Sequence, residues 1–407
     1  MSIKEKMRQN SSNKICGLHR NIFFSGVVSF FMDFSSEMVY PLVPLFLSSV
    51  LGVQKSVIGL IEGIAESTAS LLKVFSGWLS DHLGHRKWLM AVGYGISTLS
   101  RPFIATAPNW GQVLASRFID RFGKGIRNAP RDALIAESCE APNLGRSFGF
   151  QRGMDTLGAV VGPAVAFGLL AYYHGQYRLV FWLSMIPGIL AVLTIIFFIR
   201  ETHACPIDQV EKPKLGWSSF DRSYKFFILV VILFSIGNSS DVFLILRAEN
   251  VGIPVTIIPL VYLVFNVVYS LGALPAGILS DRVGPKLIIF LAFLLFGFIY
   301  LGFARASQPV HIWLLFISYG IFMAMTEGVQ RAFLATLVPS EFKATGFGLY
   351  NTLVGLAVLP ASLIGGILWD RLGPQATFLY GSITAWLAAL LFLFFLLKPK
   401  SNTIDSP

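Results

Sequence analysis

The chain has 407 residues, of which 54% are hydrophobic and only 13% are charged, where an average soluble domain carries about 25% charged residues. A soluble protein of this length has too much surface to be this apolar, so lipid is the implied solvent. The net charge of +10 lies in short segments between apolar runs, which makes it a topology signal and excludes nucleic acid as its partner.

Residues 1–20 are polar and basic, with Lys4, Lys6, Arg8, Lys14 and Arg20. They lack an apolar core and a small-residue cleavage site, so no cleavable signal peptide is expected. The first apolar run, 21–48, is expected to act as its own insertion signal. It carries Asp33 and Glu37, four apart and therefore on one helix face. Glu37 lies roughly 20 Å along the helix from the basic tail, at ~1.5 Å per residue, beyond the midplane. A carboxyl held in a dry cavity can exchange a proton near neutral pH, which makes Glu37 the leading proton or cation site and Asp33 its neighbour.

The second run, 56–79, places Glu62, Glu66 and Lys73 on one face. Glu62 is expected in water near the outer surface; Glu66 and Lys73 read equally well as a structural pair or as functional groups. The phrase "GWLSDHLGHRK" follows, Gly77 to Lys87. The third run, 87–107, ends with Arg101 beside Pro102, expected to snorkel to the outer boundary. The fourth, 110–136, carries Arg117, Asp120, Arg121, Lys124 and Arg127. Asp120 is about 15 Å from the start of this run, near the midplane. So many charges cannot face lipid. They are expected to face a cavity or meet acids on neighbours, with Asp155, beside Arg152, as one partner.

Runs at 144–173 and 178–199 complete the first half. The longest polar stretch between runs is Glu201 to Arg222, with Pro206, Pro213 and Gly216. Six more runs follow at 224–248, 256–279, 286–304, 309–336, 342–369 and 375–397. Arg247 and Glu249 close the first of these and are expected exposed in an outer loop. Glu327 and Arg331, four apart, repeat in the tenth run the charge pairing of the fourth. Twelve runs of about 20 residues each are membrane helices by length, and whole helical lengths of strong hydropathy exclude a barrel of strands of ~10 residues.

Lys and Arg concentrate in every second connection: Arg86 and Lys87, Arg131 and Arg146, Arg200 to Arg222, Arg282 and Lys286, Lys343, then Lys398 and Lys400. The alternate connections hold Lys55, Arg178, Arg305 and Arg371 nearly alone. Both termini are therefore expected in the cytoplasm. Cys16, Cys139 and Cys205 fall on that side and are expected to be free thiols.

The two halves resemble each other. "GILSDRVGPK", Gly277 to Lys286, repeats the loop phrase at an offset of 277 − 77 = 200. "SSEM" at 35 meets "SSDV" at 239, "RSFGFQ" at 146 meets "TGFGLY" at 345, and Arg131 meets Arg331, at offsets of 204, 199 and 200. The expected fold is all-α, with about twelve membrane helices in two pseudo-symmetric six-helix bundles. The expected units are a tail at 1–20, bundles at 21–200 and 223–397, a linker at 201–222 and a tail at 398–407. In the loop phrase Gly77 permits close helix approach, Gly84 a tight turn, and Asp81 with Arg86 and Lys87 a charge-linked latch. Arg127 and Arg131 are expected to join that latch around Asp81, and Asp281 stands in the second copy.

Gly77-x-x-x-Asp81-x-x-Gly84-x-Arg86-Lys87 resembles the loop motif of the major facilitator superfamily, and Gly277-x-x-x-Asp281-x-x-Gly284 resembles its second copy. The resemblance covers nearly the whole chain and implies two bundles rocking about a central cavity in alternating access. "RFIDRFGKG" from Arg117 resembles the family's fourth-helix motif, an Arg followed by glycines, which implies proton coupling at Arg117; Asp120, Arg121 and Lys124 are additions to that motif, and by their charge within the span Asp120 and Arg121 join Arg117 as candidates. "GAVVGP", with Gly158, Gly162 and Pro163, resembles the fifth-helix motif of drug–proton antiporters, although Ala164 to Phe167 replace the usual glycine pair. It implies a kinked, tightly packed helix acting as a seal between the halves. Asp33, Asp155, Asp241 (the repeat mate of Glu37) and Glu327 complete the expected proton and substrate cavity.

No GxxxxGK[ST] loop, metal-ligand spacing or hydrolase arrangement appears, so no cofactor, no metal and no enzyme is expected. The expected protein is a monomer in a bacterial inner membrane. It exports a small organic solute, drug-like or a secreted metabolite such as a siderophore, in exchange for protons. An uptake symporter of the same fold and a non-transporting membrane receptor are the alternatives.

Overall fold

A computed structural model describes residues 14–15, 18–83, 85–139, 144–201, 220–338 and 343–397. A two-stranded antiparallel ribbon, β1 (Lys14–Ile15) and β2 (Leu18–His19), precedes the helices. Twelve helical rods follow among the described residues. They are α1 (Arg20–Val50), α2 (Lys55–Leu83), α3 (Arg86–Ala105), α4 (Trp110–Glu137), α5 (Leu144–Tyr172) and α6 (Tyr177–Phe198). The second six are α7 (Arg222–Asn250), α8 (Ile258–Val283), α9 (Pro285–Arg305), α10 (Pro309–Leu337), α11 (Lys343–Leu372) and α12 (Pro374–Leu397). Nine of these are long and apolar enough to cross a membrane. The other three are α2, α3 and α4, which carry Glu62, Arg101 and the row of charges from Arg117 to Arg127.

Three rods are interrupted, each for a local reason. In α1, Pro41 and Pro44 remove two backbone donors, and the ladder passes through a 3₁₀ turn at Tyr40–Leu42 and a π turn at Phe46–Val50. In α6 the break falls at Ser184, whose carbonyl accepts from Ser35 Oγ at 2.7 Å. In α7 it falls at Asn238–Asp241, where the freed Ser240 N–H donates to Ser362 Oγ at 3.1 Å. A backbone group freed inside a membrane protein needs such a substitute partner.

Packing follows one scheme twice. Helix α1 packs on α5 and α6, α3 on α4 and α6, and α2 on α4; α7 packs on α11 and α12, α9 on α10 and α12, and α8 on α10. The two sets meet along α2–α11 and α5–α8. The α2–α11 seam is drawn tight by glycines on both sides. A Cβ at Gly366 would lie 2.5 Å from the Lys55 carbonyl oxygen, and one at Gly63 2.9 Å from the Leu359 Cα. Gly59 and Gly355 leave equally little room, against the Ser362 carbonyl and Ser70. Small residues allow this approach, and without a hydrophobic force between helices in lipid the close van der Waals contact holds the seam. An apolar core rich in phenylalanine fills the second set: Phe234 stacks on Phe293 at 4.3 Å and Phe296 on Tyr300 at 4.0 Å.

Candidate functional site

Spacings of three and four put Arg117, Asp120, Arg121, Lys124, Arg127 and Arg131 along one side of α4. This ladder faces protein, as its charge demands. Arg117 makes a two-pronged ion pair with Glu62 of α2, Nε to Oε1 at 2.8 Å and Nη2 to Oε2 at 2.6 Å. Arg121 Nη2 reaches Glu66 Oε1 at 2.7 Å. Asp120 accepts from Arg101 of α3 at 3.2 Å and lies 3.7 Å from Arg117 and 3.9 Å from Arg121. Arg101 also donates to Ser36 Oγ at 2.9 Å and so ties α1 into the lattice. The Tyr40 ring lies under the guanidiniums of Arg117 and Arg121 at 5.6 and 5.9 Å.

Two expectations are corrected here. Glu62 is not in outer water: it is 1% exposed and anchors Arg117. Arg101 does not snorkel outward: it is 2% exposed and is the first partner of Asp120. Distance from the end of a span misplaces both residues. The opposite charges on α4, far off in sequence, draw them inward instead.

Asp33 and Glu37 share one face of α1, as their spacing requires, and line a cavity of about 200 Å³ with Arg117, Asp120, Arg121 and Lys124. Tyr262 of α8 closes it from the other half, its ring 5.5 Å from that of Tyr40. Among the described residues, Asp33, Glu37 and Lys124 form no ion pair within 4 Å, and Glu37 Oε2 is buried without a hydrogen-bond partner. The acids are thus sorted by the fold. Asp120 is a counter-ion to three guanidiniums; Asp33 and Glu37 are held in the same cavity uncommitted.

The glycines of α5 support this face of α1. A Cβ at Gly158 would sit 2.5 Å from the Phe30 carbonyl oxygen, and one at Gly162 2.8 Å from that of Phe34. Pro163 lies inside a continuous α5. Gly158 and Gly162 therefore seat α5 on α1 within one half and are not a seal between halves. The α5–α8 contact is made by other groups, such as Asn266 Nδ2 donating to the Ala159 carbonyl at 3.2 Å.

A second cavity, about 420 Å³, opens between α4, α5, α8 and α10. Asp155 faces it, accepting from Gln151 at 2.5 Å with Arg131 at 3.9 Å. Arg152 does not turn to Asp155. It crosses to Glu327 of α10 at 3.3 Å, where Arg331 also pairs at 3.4 Å and Tyr269 donates a hydrogen bond. The repeat mates Arg131 and Arg331 thus line one cavity from opposite halves.

At the other end the halves are joined. Ser49 Oγ donates to Glu249 at 2.5 Å. Asp370 of α11 accepts from the backbone N–H of Lys55 at 3.0 Å and of Ser56 at 2.8 Å, capping the start of α2 across the interface. Because a cap contributes about 1 kcal/mol, Asp370→Ala is expected to loosen this end by a similar amount. The check is maleimide labelling of a cysteine placed at the buried Val43 in a background lacking the native thiols, which should rise in the variant.

The remaining expected residues divide. Asp241, in the break of α7, accepts from Tyr319 Oη at 2.6 Å and is not among the residues that line the first cavity. Arg247 is not an exposed loop charge: it is buried and donates to the carbonyls of Phe303 at 3.0 Å and Ala306 at 2.8 Å, closing the end of α9. Asp281 is exposed at the end of α8. Gly84, the surroundings of Gly77 and the side chain of Asp81 lie outside the described residues. Arg86 pairs with Glu137 at 2.7 Å, and Lys87 donates from its backbone to Glu201 at 3.1 Å. Among the described residues, Arg127 lies 4.5 Å over the Tyr94 ring and Arg131 pairs with Asp132 at 2.9 Å. Cys139 is a free thiol, while Cys16 and Cys205 lie outside the described residues.

Helices of this length and apolarity, paired by one scheme twice around polar cavities, define a multi-pass membrane transporter. The model of the Major Facilitator Superfamily matches residues 25–246 and 226–406, and the chain belongs to that family. It is 35% identical over 398 residues to an uncharacterized MFS-type transporter of Methanocaldococcus jannaschii, covering 96% of this chain and 99% of that one. It is 25% identical over 363 residues to the multi-drug resistance efflux pump PmrA homolog of Lactococcus lactis, covering 86% of this chain and 88% of the relative. A solved D-xylose–proton symporter shares the fold with a TM-score of 0.74 at 16% identity, covering 92% of this chain and 96% of that one. The chain is a transporter, not an enzyme, and resembles the drug–proton antiporter branch of its family.

Proposed function

We propose that the protein exports a small organic solute in exchange for protons, as a monomer in a bacterial inner membrane. The twelve helices cross the bilayer as two bundles, residues 21–200 and 223–397, joined by the linker at 201–222, with both termini in the cytoplasm. The bundles rock about the central cavity to expose it to either side in turn. The joined end, at Ser49, Lys55, Glu249 and Asp370, faces outward, and the second cavity opens toward the cytoplasm.

The observation that carries the reading is the pair of uncommitted acids, Asp33 and Glu37, in a cavity whose other acids are tied to guanidiniums. The efflux pump among the relatives supports the direction of transport. With the outer end open, a proton neutralises Glu37 and removes a charge that opposes closing the cavity to water. With the inner end open, the proton leaves and solute takes its place. The lattice of Arg117, Asp120 and Arg121 keeps its charge throughout and fixes the geometry. Asp155 and Glu327 lie on the proton's path to the cytoplasm, and Asp241 is the counterpart of Glu37 in the other bundle.

Everted membrane vesicles with an acid lumen test this. A transported compound is expected to trigger proton release, and Glu37→Gln to abolish it while the protein stays at normal abundance. Release that survives both Glu37→Gln and Asp33→Asn would remove these acids from the mechanism. Solute uptake together with protons into intact cells would make the protein a symporter.

A further inference from the structure

We infer that the 200 Å³ cavity binds a small zwitterion, an amino-acid-like solute carrying one ammonium and one carboxylate. This rests on the transporter reading above and names its substrate class.

The argument is a balance of charge inside the cavity. Arg117 is used by Glu62, and Asp120 by Arg101 with Arg117 and Arg121. Glu66 is used by Arg121 through Nη2. What is left over has both signs. On the cationic side stand the Lys124 ammonium, without an ion pair within 4 Å among the described residues, and Arg121 Nε, buried without a hydrogen-bond partner. Arg121 as a whole is only 6% exposed. On the anionic side stand Asp33 and Glu37, the latter with Oε2 buried and unpartnered. Buried polar groups in native structures are almost always hydrogen-bonded, and an unmet donor and acceptor in one cavity point to a ligand that supplies both.

A zwitterion does so. Its carboxylate accepts from Arg121 Nε–H and Lys124; its ammonium donates to Glu37 and Asp33. A simple anion would leave both acids unmet, and a simple cation would meet them but leave Arg121 Nε and Lys124 unpaired. A lipophilic cation also lacks an apolar wall, since apart from the rings of Tyr40 and Tyr262 the lining side chains are charged or hydroxylic. Size agrees. A volume of 200 Å³ holds about seven waters at roughly 30 Å³ each, below the ~300–1,000 Å³ of pockets that take drug-sized ligands.

The test is direct binding to the purified protein in lipid nanodiscs, read as thermal unfolding by tryptophan fluorescence and by calorimetric titration. The probes are the standard L-amino acids and glycine betaine, with acetate, methylammonium and tetraphenylphosphonium as single-charge controls. At least one zwitterion is expected to bind, and none of the controls to match it. Lys124→Met is expected to weaken that binding roughly tenfold or more, the loss of one hydrogen bond to a charged group, and Lys124→Arg to restore most of it. Lys124 lies outside the ion-pair lattice, so Met there leaves the fold intact; Glu37→Gln provides a second, independent loss on the ammonium side. No binding by any zwitterion overturns the inference, as does binding that is equal in the wild type, Lys124→Met and Glu37→Gln. Proton release triggered by an amphiphilic cation, with no zwitterion bound, would sink this inference and leave the antiport reading standing. Zwitterion binding that depends on Lys124, with no proton movement in vesicles, would do the reverse.

Discussion

Glu62→Ala is expected to be among the most destabilising single substitutions in the molecule, by about 3–5 kcal/mol, because it leaves a buried guanidinium uncompensated. Glu62 is 1% exposed and Arg117 3%, and the pair is held by two short parallel bonds of 2.6 and 2.8 Å. In water Arg117 would simply be solvated again. Among the described residues the one acid left to it within 4 Å is Asp120, at 3.7 Å, which already serves Arg101 and Arg121. The measurement is the unfolding temperature in detergent together with abundance in the membrane. Replacing both partners, Glu62→Met with Arg117→Met, is expected to recover much of the loss, since no charge is then left unpaired and Asp120 keeps two partners. If the double variant is no more stable than Glu62→Ala, the pair is not acting as a mutual charge compensation. Transport is expected to fall in both variants, because Arg117 holds one wall of the cavity.

Gly59→Leu is expected to abolish transport while leaving the protein folded within each half. The glycine stands where α2 meets α11, and a Cβ there would run into the Ser362 carbonyl oxygen; backbone cannot yield as a flexible side chain can. The two helices must separate, and the Asp370 cap on α2 and the Ser49–Glu249 bond lie at the same end. The expected result is a transporter unable to close that end. Maleimide labelling of a cysteine at Val43 should rise well beyond the effect of Asp370→Ala, with solute movement lost. Gly168→Ala on α5 is the control, since nothing lies within 4 Å of a Cβ there, and it should behave as wild type. Equal labelling in Gly59→Leu and the wild type would mean that the seam does not control access.

The charges show where reading along one chain reaches its end. The four-residue spacing of Asp33 and Glu37 fixes a shared helix face whatever the fold, and that face does line the cavity. The density of charge on the fourth run requires protein neighbours, and they are there. Their identity was not legible. Glu62 and Arg101 each stand in the sequence as one charge near the end of an apolar run, and depth along a helix says nothing of which helix lies opposite. Their partners are 55 and 19 residues away. The same holds for Gly158 and Gly162: spacing makes a flat strip on α5, but only the packed helices show that α1 fills it. Asp370 could not be recognised at all, because its role is to cap a helix that begins 315 residues earlier.

By itself, the sequence determined that this chain is helical and lives in lipid, where its apolar runs lie, that its two halves are related, and which faces carry charge. These follow from local period and from the free energy of transferring side chains into a bilayer, properties of each segment alone. Only the tertiary structure decided which acids are spent as counter-ions and which remain free, where the glycine strips are used, and which end of the molecule is joined. Those outcomes depend on Coulomb and van der Waals terms that fall off within a few ångströms, between groups that only the packing of the helices brings together.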